Sequence, residues 1–258
     1  MFERTISNQN IMQTKQMHPE LKQLLVEAGE IIVKDFNSKS YTIEYKPDGS
    51  PVTSTDKQTQ EFLIPKLTKL FPEFKIIAEE VPESHQIDAN DTHMLTLDPL
   101  GGTSNFLAGK PKVDIMVSLI INHKVEYATT YNPFTQIFDY LYPAEQIKRN
   151  NLRTMERKFV SFTQDVELID RKSITNAYRP INYLTNGNID FLIYPKGFID
   201  IWDLAPAHGV LKKAGGNLYT RKGEEYSYNT IENPEDLIAL MNDSLLSQVL
   251  EVFQVENQ

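Results

Sequence analysis

Leu97-Asp98-Pro99-Leu100-Gly101-Gly102-Thr103 is an apolar run that reaches a carboxylate and then breaks into a Gly-Gly-Thr turn. Backbone N–H groups in such a turn face an anion, while the carboxylate holds a cation beside it. Around this segment the pattern is that of short strands. Lys75 to Ala78, Met94 to Leu97, Asp114 to Ile121 and Val125 to Tyr131 have strand length and composition, and Ile137 to Tyr142 reads as a further strand. Two amphipathic helices precede them. Pro19 to Phe36 sets Leu21, Leu24, Leu25, Ala28, Ile31 and Ile32 on one face, with Pro19 suited to the first turn. Ser54 to Phe71 turns Phe62, Leu63, Leu67 and Leu70 inward, and Pro65 inside it predicts a bend. Lys46-Pro47-Asp48-Gly49-Ser50-Pro51 is a turn signal between the helices.

Further on, the polar stretch Lys148 to Arg157 reads as a solvated loop. Phe159 to Phe162 and Phe191 to Tyr194 read as strands of a second sheet, and Leu204 to Ala214 as a helix closed by Gly215-Gly216. A last helix is expected near Ser244 to Phe253. Helices first, then strands, then the two mixed, predict a layered α/β (α+β) fold, with alternating layers of helices and two sheets. The expected organisation is an arm at 1–17, an N-terminal α+β half at 18–150 and a C-terminal α/β half at 151–258, divided near 145–155.

Bulk properties exclude several classes of function. The net charge of -9 opposes nucleic-acid polymer binding, which relies on neutralisation by Lys and Arg. A small phosphorylated ligand stays compatible, because bound cations reverse the local sign. With 0 cysteines, disulfides, thiolate zinc sites and cysteine nucleophiles are excluded. No apolar run approaches the roughly 18 residues of a membrane span, and Met1-Phe2-Glu3-Arg4-Thr5 lacks an apolar signal region. The expectation is a cytoplasmic protein without membrane partners.

Three companions give the opening segment its chemistry: Ser54-Thr55-Asp56, Ala78-Glu79-Glu80 and Ile201-Trp202-Asp203. Asp98 and Glu79 stand at strand ends and Asp203 at a helix start, and all three are hard oxygen donors suited to Mg²⁺. Each also has an ordinary reading. Asp203 and Thr103 fit helix N-caps, Asp56 fits a first helical turn, and Glu79-Glu80 fits a solvated turn. Trp202 reads as packing, and His208 as a helix-face histidine rather than a ligand.

In order and approximate spacing the four segments resemble the motifs of the inositol monophosphatase superfamily of Mg²⁺-dependent, lithium-sensitive phosphatases. Pro51-Val52-Thr53-Ser54-Thr55-Asp56 is similar to its first motif and Ile77-Ala78-Glu79-Glu80 to its Glu-Glu motif. Leu97 to Thr103 is similar to its central Asp-Pro-(Ile/Leu)-Asp-Gly-Thr motif, and Trp202-Asp203 with Ala205 and Ala214-Gly215-Gly216 to the C-terminal one. The resemblance implies a sugar-phosphatase-like fold. It implies Mg²⁺ held by Glu79, Asp98 and the Leu100 carbonyl, and a second ion held by Asp98 and Asp203, among the two or three sites of the family. Asp56 and Thr103 would position the attacking water, with backbone N–H groups of Gly101, Gly102 and Thr103 toward the phosphate. It also implies, by analogy alone, a homodimer.

Tyr194-Pro195-Lys196-Gly197 ahead of Trp202-Asp203 looks most like the 3'(2'),5'-bisphosphate nucleotidase branch, which makes Lys196 a candidate substrate contact. Ser104-Asn105-Phe106 is closer to the inositol-type pattern, and Tyr178-Arg179-Pro180 stands where that branch has a Gly-Ser pair. Gly101 occupies the place of the family's second aspartate, which removes a ligand and a charge. A unit ion pair at ~4 Å in an effective dielectric of ~20 is worth roughly 4 kcal/mol before desolvation. The sequence therefore points to a phosphomonoesterase weakened at its second metal, acting on a small phosphorylated substrate. The alternatives are an inositol monophosphatase, or a member that binds a phosphorylated ligand without turnover.

Overall fold

The structure is a computed structural model and describes residues 18–138, 181, 184 and 191–255, with side chains to residue 251. The arm at 1–17, the boundary at 145–155, residues 139–142 of the expected strand, Lys148 to Arg157, Phe159 to Phe162 and Tyr178 to Pro180 lie outside that range.

In chain order the elements are α1 (Pro19–Ser38), β1 (Ile43–Tyr45), β2 (Pro51–Thr53), α2 (Ser54–Leu70), β3 (Lys75–Ala78), β4 (His93–Gly101), α3 (Thr103–Leu107), β5 (Asp114–Ile121), β6 (Lys124–Asn132) and β7 (Ile137–Phe138). They continue as β8 (Phe191–Tyr194), α4 (Ile201–Lys213), β9 (Asn217–Thr220), β10 (Leu237–Leu240) and α5 (Leu246–Val255). A five-stranded sheet runs β3-β4-β5-β6-β7, a three-stranded sheet runs β8-β10-β9, and β1-β2 form a separate hairpin. Among the described strands of the large sheet, only the β3–β4 pair is parallel.

Strand alternation builds the layers. Leu95, Leu97, Ile115, Val117 and Leu119 point to one face of the large sheet and pack on Leu21, Leu25, Ile32, Leu63 and Leu67 of α1 and α2. Met94, Met116, Ile120 and Ala128 point to the other face and pack on Ile201, Leu204, Ala205 and Leu211 of α4. The far side of α4 meets Leu192, Leu218 and Ala239 of the small sheet. The opposite face of that sheet, through Phe191 and Ile238, receives Leu246 and Val249 of α5. The result is five alternating layers, helix–sheet–helix–sheet–helix, as the sequence predicts. Among the described residues no helix is long and apolar enough to cross a membrane.

Three expectations shift on contact with the structure. β4 continues through Asp98 to Gly101, with an irregular register between them, so Asp98 lies inside the strand rather than at its end. α2 ends at Leu70, so Phe71 is its C-cap rather than its last residue, and Pro65 lies exposed inside it. α4 begins at Ile201 instead of Leu204, which moves Pro206 from the expected first turn into the second. There Pro206 has no N–H for the Trp202 carbonyl.

α4 also lies close against the large sheet. A Cβ built on Gly209 would come within 2.2 Å of Ala128 Cβ on β6, an atom that cannot swing aside. Gly209→Ala therefore sets a helix-propensity gain of about 1 kcal/mol against an overpacking penalty of about 1–3 kcal/mol. We expect a net loss, read as a lower urea midpoint at unchanged slope.

Candidate active site

The hairpin, the start of α2, the end of β3, the end of β4 and the start of α4 come together at one end of the large sheet. Thr53 N-caps α2, its hydroxyl accepting from the Thr55 and Asp56 N–H groups while Asp56 accepts from the Thr53 N–H at 2.8 Å. This reciprocal cap fixes the Asp56 carboxylate, which is fully buried. Its other oxygen, Oδ1, accepts a hydrogen bond from Thr103 Oγ1 at 2.9 Å, across 47 residues of sequence. Burial raises the Asp56 pKa, and the hydrogen bonds from Thr53 and Thr103 act against that rise. Asp56 is thus both a helix-cap partner and a link to the central motif.

At the central motif, Asp98 Oδ1 accepts from the Leu100 N–H at 2.9 Å, and the Thr103 hydroxyl also reaches the Leu100 carbonyl at 3.2 Å. Gly101 closes β4 opposite Asp114 and directly precedes Gly102 and Thr103. Gly102, at φ 94°, turns the chain into α3 as its N-cap, so Thr103 is the first helical residue and not the cap. A side chain at 101 would meet occupied space. Its Cβ would lie 2.7 Å from Met116 Cε and 2.8 Å from Asp98 Oδ2.

Glu79 follows the last residue of β3 and extends the ladder by one bond, its N–H donating to the Leu97 carbonyl at 3.0 Å. Asp203 sits in the first turn of α4, whose N-cap is Asp200, so the expected capping alternative for Asp203 does not hold. Asp98 is 2 % exposed, whereas Asp203 is partly exposed at the rim. Both titrate well above the ordinary aspartate range. For Asp98 the causes are burial, then the negative charges of Glu79 and Asp203; for Asp203 they are burial, then Glu79 and Asp200. Glu79, Asp98 and Asp203 therefore converge closely enough to repel one another.

Lys46 partly answers that charge, and the sequence reading assigned it only to a turn. Its ammonium bridges Glu79 at 2.7 Å and Glu80 at 2.9 Å. Burial opposes the charged form of Lys46, but the two carboxylates outweigh it and raise its pKa. Glu80 is pushed up to about 7, first by burial and then by Glu79. Asp200 is pushed up to about 6 by burial, then by Glu232 and Glu79. A basic residue at the base of a hairpin that precedes a Glu-Glu pair was the available signal for Lys46.

The donor set suits a hard divalent cation. Glu79, Asp98 and Asp203 supply only carboxylate oxygens, and two of them carry charge that the protein itself disfavours. Among the described residues, no three of these groups already close around one point, and Glu79 is engaged with Lys46. At position 101 the donor set does not extend to a further ligand. His208 lies away from this end, buried between Asn217, which accepts from Nε2 at 2.8 Å, and the Tyr228 hydroxyl at 3.0 Å. Burial holds it down to about 4, so it is a neutral packing histidine. Lys196 occupies the turn after β8, its N–H donating to Asp236 at 2.8 Å.

A model of the inositol monophosphatase family matches residues 14–179. The 3'(2'),5'-bisphosphate nucleotidase CysQ of Buchnera aphidicola is 28% identical over 238 residues, covering 83% of this chain and 88% of that protein. Inositol monophosphatase 3 of Solanum lycopersicum is 28% identical over 228 residues, covering 77% and 84%. An IMPase/NADP phosphatase solved with Mg²⁺ and phosphate superposes with a TM-score of 0.63 at 16% identity, covering 88% and 92%, a likeness of fold.

Proposed function

The chain belongs to the inositol monophosphatase family, and from that premise we propose that it is a Mg²⁺-dependent phosphatase releasing inorganic phosphate from a small phosphomonoester. The observation that carries the reading is the Thr103–Asp56 hydrogen bond beside the buried Asp98 carboxyl. Because Thr103 donates its hydrogen to Asp56, its oxygen is left to accept a hydrogen bond from water. That water is thereby turned with a lone pair outward, the requirement of a nucleophile in an in-line displacement. Its oxygen forms a bond to phosphorus as the ester P–O bond breaks, one proton of that water is released to solvent, and the displaced alkoxide takes up a proton from solvent to leave as the alcohol.

Glu79, Asp98, the Leu100 carbonyl and Asp203 would hold the cations. Bound there, divalent ions supply charge stabilisation to the attacking and leaving oxygens. The protein's own part is to fix the carboxylates within a strand, on a ladder extension and at a helix start, so that little reorganisation accompanies reaction. Backbone N–H groups of Gly102 and Thr103 are assigned to the phosphate, and Lys196 to the remainder of the substrate.

The substrate class we favour is a 3'(2'),5'-bisphosphate nucleotide. Tyr194-Pro195-Lys196-Gly197 and the similarity to the Buchnera nucleotidase support it. Ser104-Asn105-Phe106 and the equal identity to the tomato inositol monophosphatase favour the second reading, an inositol monophosphate. A phosphate-release screen of bisphosphorylated adenosines, inositol monophosphates and sugar bisphosphates, with Mg²⁺ titrated and Li⁺ as inhibitor, separates them. Ligand binding with no release in any arm would leave only the non-catalytic alternative.

Position 101 belongs in the same screen. Gly101→Asp must displace both the Met116 methyl and Asp98 Oδ2, so the added ligand comes with a disturbed one. We expect Gly101→Asp with Met116→Ala to lower the Mg²⁺ requirement about tenfold, and Gly101→Asp alone to lower it less; ~1.4 kcal/mol of recovered binding suffices.

A further inference from the structure

Two of the proposed metal-bearing segments belong to different layers: Glu79 follows an edge strand, and Asp203 opens α4. Their spacing must be set by something other than the sheet that carries only one of them. The loop after Glu79 returns as a short 3-10 turn, Pro82–Ser84, followed by His85. Because Glu79 N–H and Leu97 occupy the inner side of the parallel ladder, the Ala78 N–H and carbonyl point to the outer edge. The turn satisfies both. Ser84 Oγ accepts from the Ala78 N–H at 3.1 Å, and His85 Nε2–H donates to the Ala78 carbonyl at 2.9 Å. The His85 ring, so anchored, lies against Trp202, with centroids 4.5 Å apart and planes 31° apart. Trp202 is 6 % exposed and directly precedes Asp203.

We infer that His85 is a positioning residue: its ring, pinned to Ala78 on one side and stacked on Trp202 on the other, sets the separation of Glu79 from Asp203. The link runs through one residue on each side, Ala78 to Glu79 and Trp202 to Asp203. A displacement of the ring is therefore passed to both carboxylates with little slack. The two halves of the contact do different work. The hydrogen bond orients the imidazole, and the stack, whose area is apolar, fixes the distance.

The inference rests on the phosphatase reading above, but its test does not depend on turnover. Mn²⁺ affinity of the metal-stripped full chain is measured by calorimetry for the parent, His85→Ala and His85→Phe, with thermal melts alongside. His85→Ala is expected to weaken the ion about tenfold, the size typical of groups that orient metal ligands. His85→Phe keeps the stack and is expected to recover most of that loss. With a hydrolysed substrate in hand, the Mg²⁺ concentration for half-maximal rate should rise by the same factor in His85→Ala, with kcat at saturating Mg²⁺ within about twofold of the parent. Parent-like affinity in His85→Ala, or His85→Phe as weak as His85→Ala, overturns the positioning role while leaving the phosphatase reading intact. A parent chain that binds no Mn²⁺ overturns both.

Discussion

Asp98→Asn should reduce kcat/KM for phosphate release by about 10³ or more, the loss typical of a central electrostatic group. Asp98 feels the charges of both Glu79 and Asp203, and in the proposed arrangement it is the one carboxylate assigned to both ions. An amide in its place offers one weaker oxygen and no charge. The same substitution should make the metal-free protein more stable, not less. The folded-state pKa of Asp98 is raised above its unfolded value near 3.8, so ionising it disfavours the fold. The penalty is absent at acid pH, where the carboxyl is protonated in both states, and grows as pH rises above the unfolded value. Thermal melts of parent and variant should accordingly diverge from acid toward neutral pH, with the variant higher. Added Mg²⁺ should raise the parent's midpoint and leave the variant's unchanged. Retained activity at millimolar Mg²⁺ would remove Asp98 from the site.

Asp56→Asn should lower kcat by about 10²–10³ with little change in the Mg²⁺ requirement, within the usual span of proton-positioning groups. Asp56 accepts through both oxygens, from Thr53 on one side and Thr103 on the other. An asparagine can keep its carbonyl oxygen toward Thr53 and preserve the cap. Its amide then faces Thr103 and donates to that hydroxyl. Thr103 becomes an acceptor from Asn, and its hydrogen, no longer held by a carboxylate, is free to donate to the water and turn that water's lone pair inward. Because Asn is a good cap partner, stability should change by about 1 kcal/mol or less. A parallel fall in kcat and in the urea midpoint would instead mark Asp56 as a purely structural cap.

Much of this was readable in the chain. The helices at Pro19 and Ser54 declare themselves by apolar spacing, and the strands Lys75–Ala78, Asp114–Ile121 and Phe191–Tyr194 by run length, because each buries a face whose period is local. Boundaries at the site were less legible. Neither the extension of β4 past Asp98 nor the start of α4 at Ile201 follows from local pattern. Both depend on partners far along the chain: Asp114 across from Gly101, and Ile231, whose carbonyl accepts from the Ile201 N–H.

The sequence by itself determined which residue types could bind a cation and a phosphate, and in what order they occur. Only the tertiary structure decided that Asp56 holds Thr103, that Lys46 bridges Glu79 and Glu80, and that His85 lies on Trp202. It also decided that the space beside Gly101 is filled by Met116 and the Asp98 carboxylate. Each of those facts is a contact between segments separated by tens of residues or by a layer of packing. Periodicity reports only how a segment meets its own neighbours, whereas a contact distance is set by how whole layers close on one another.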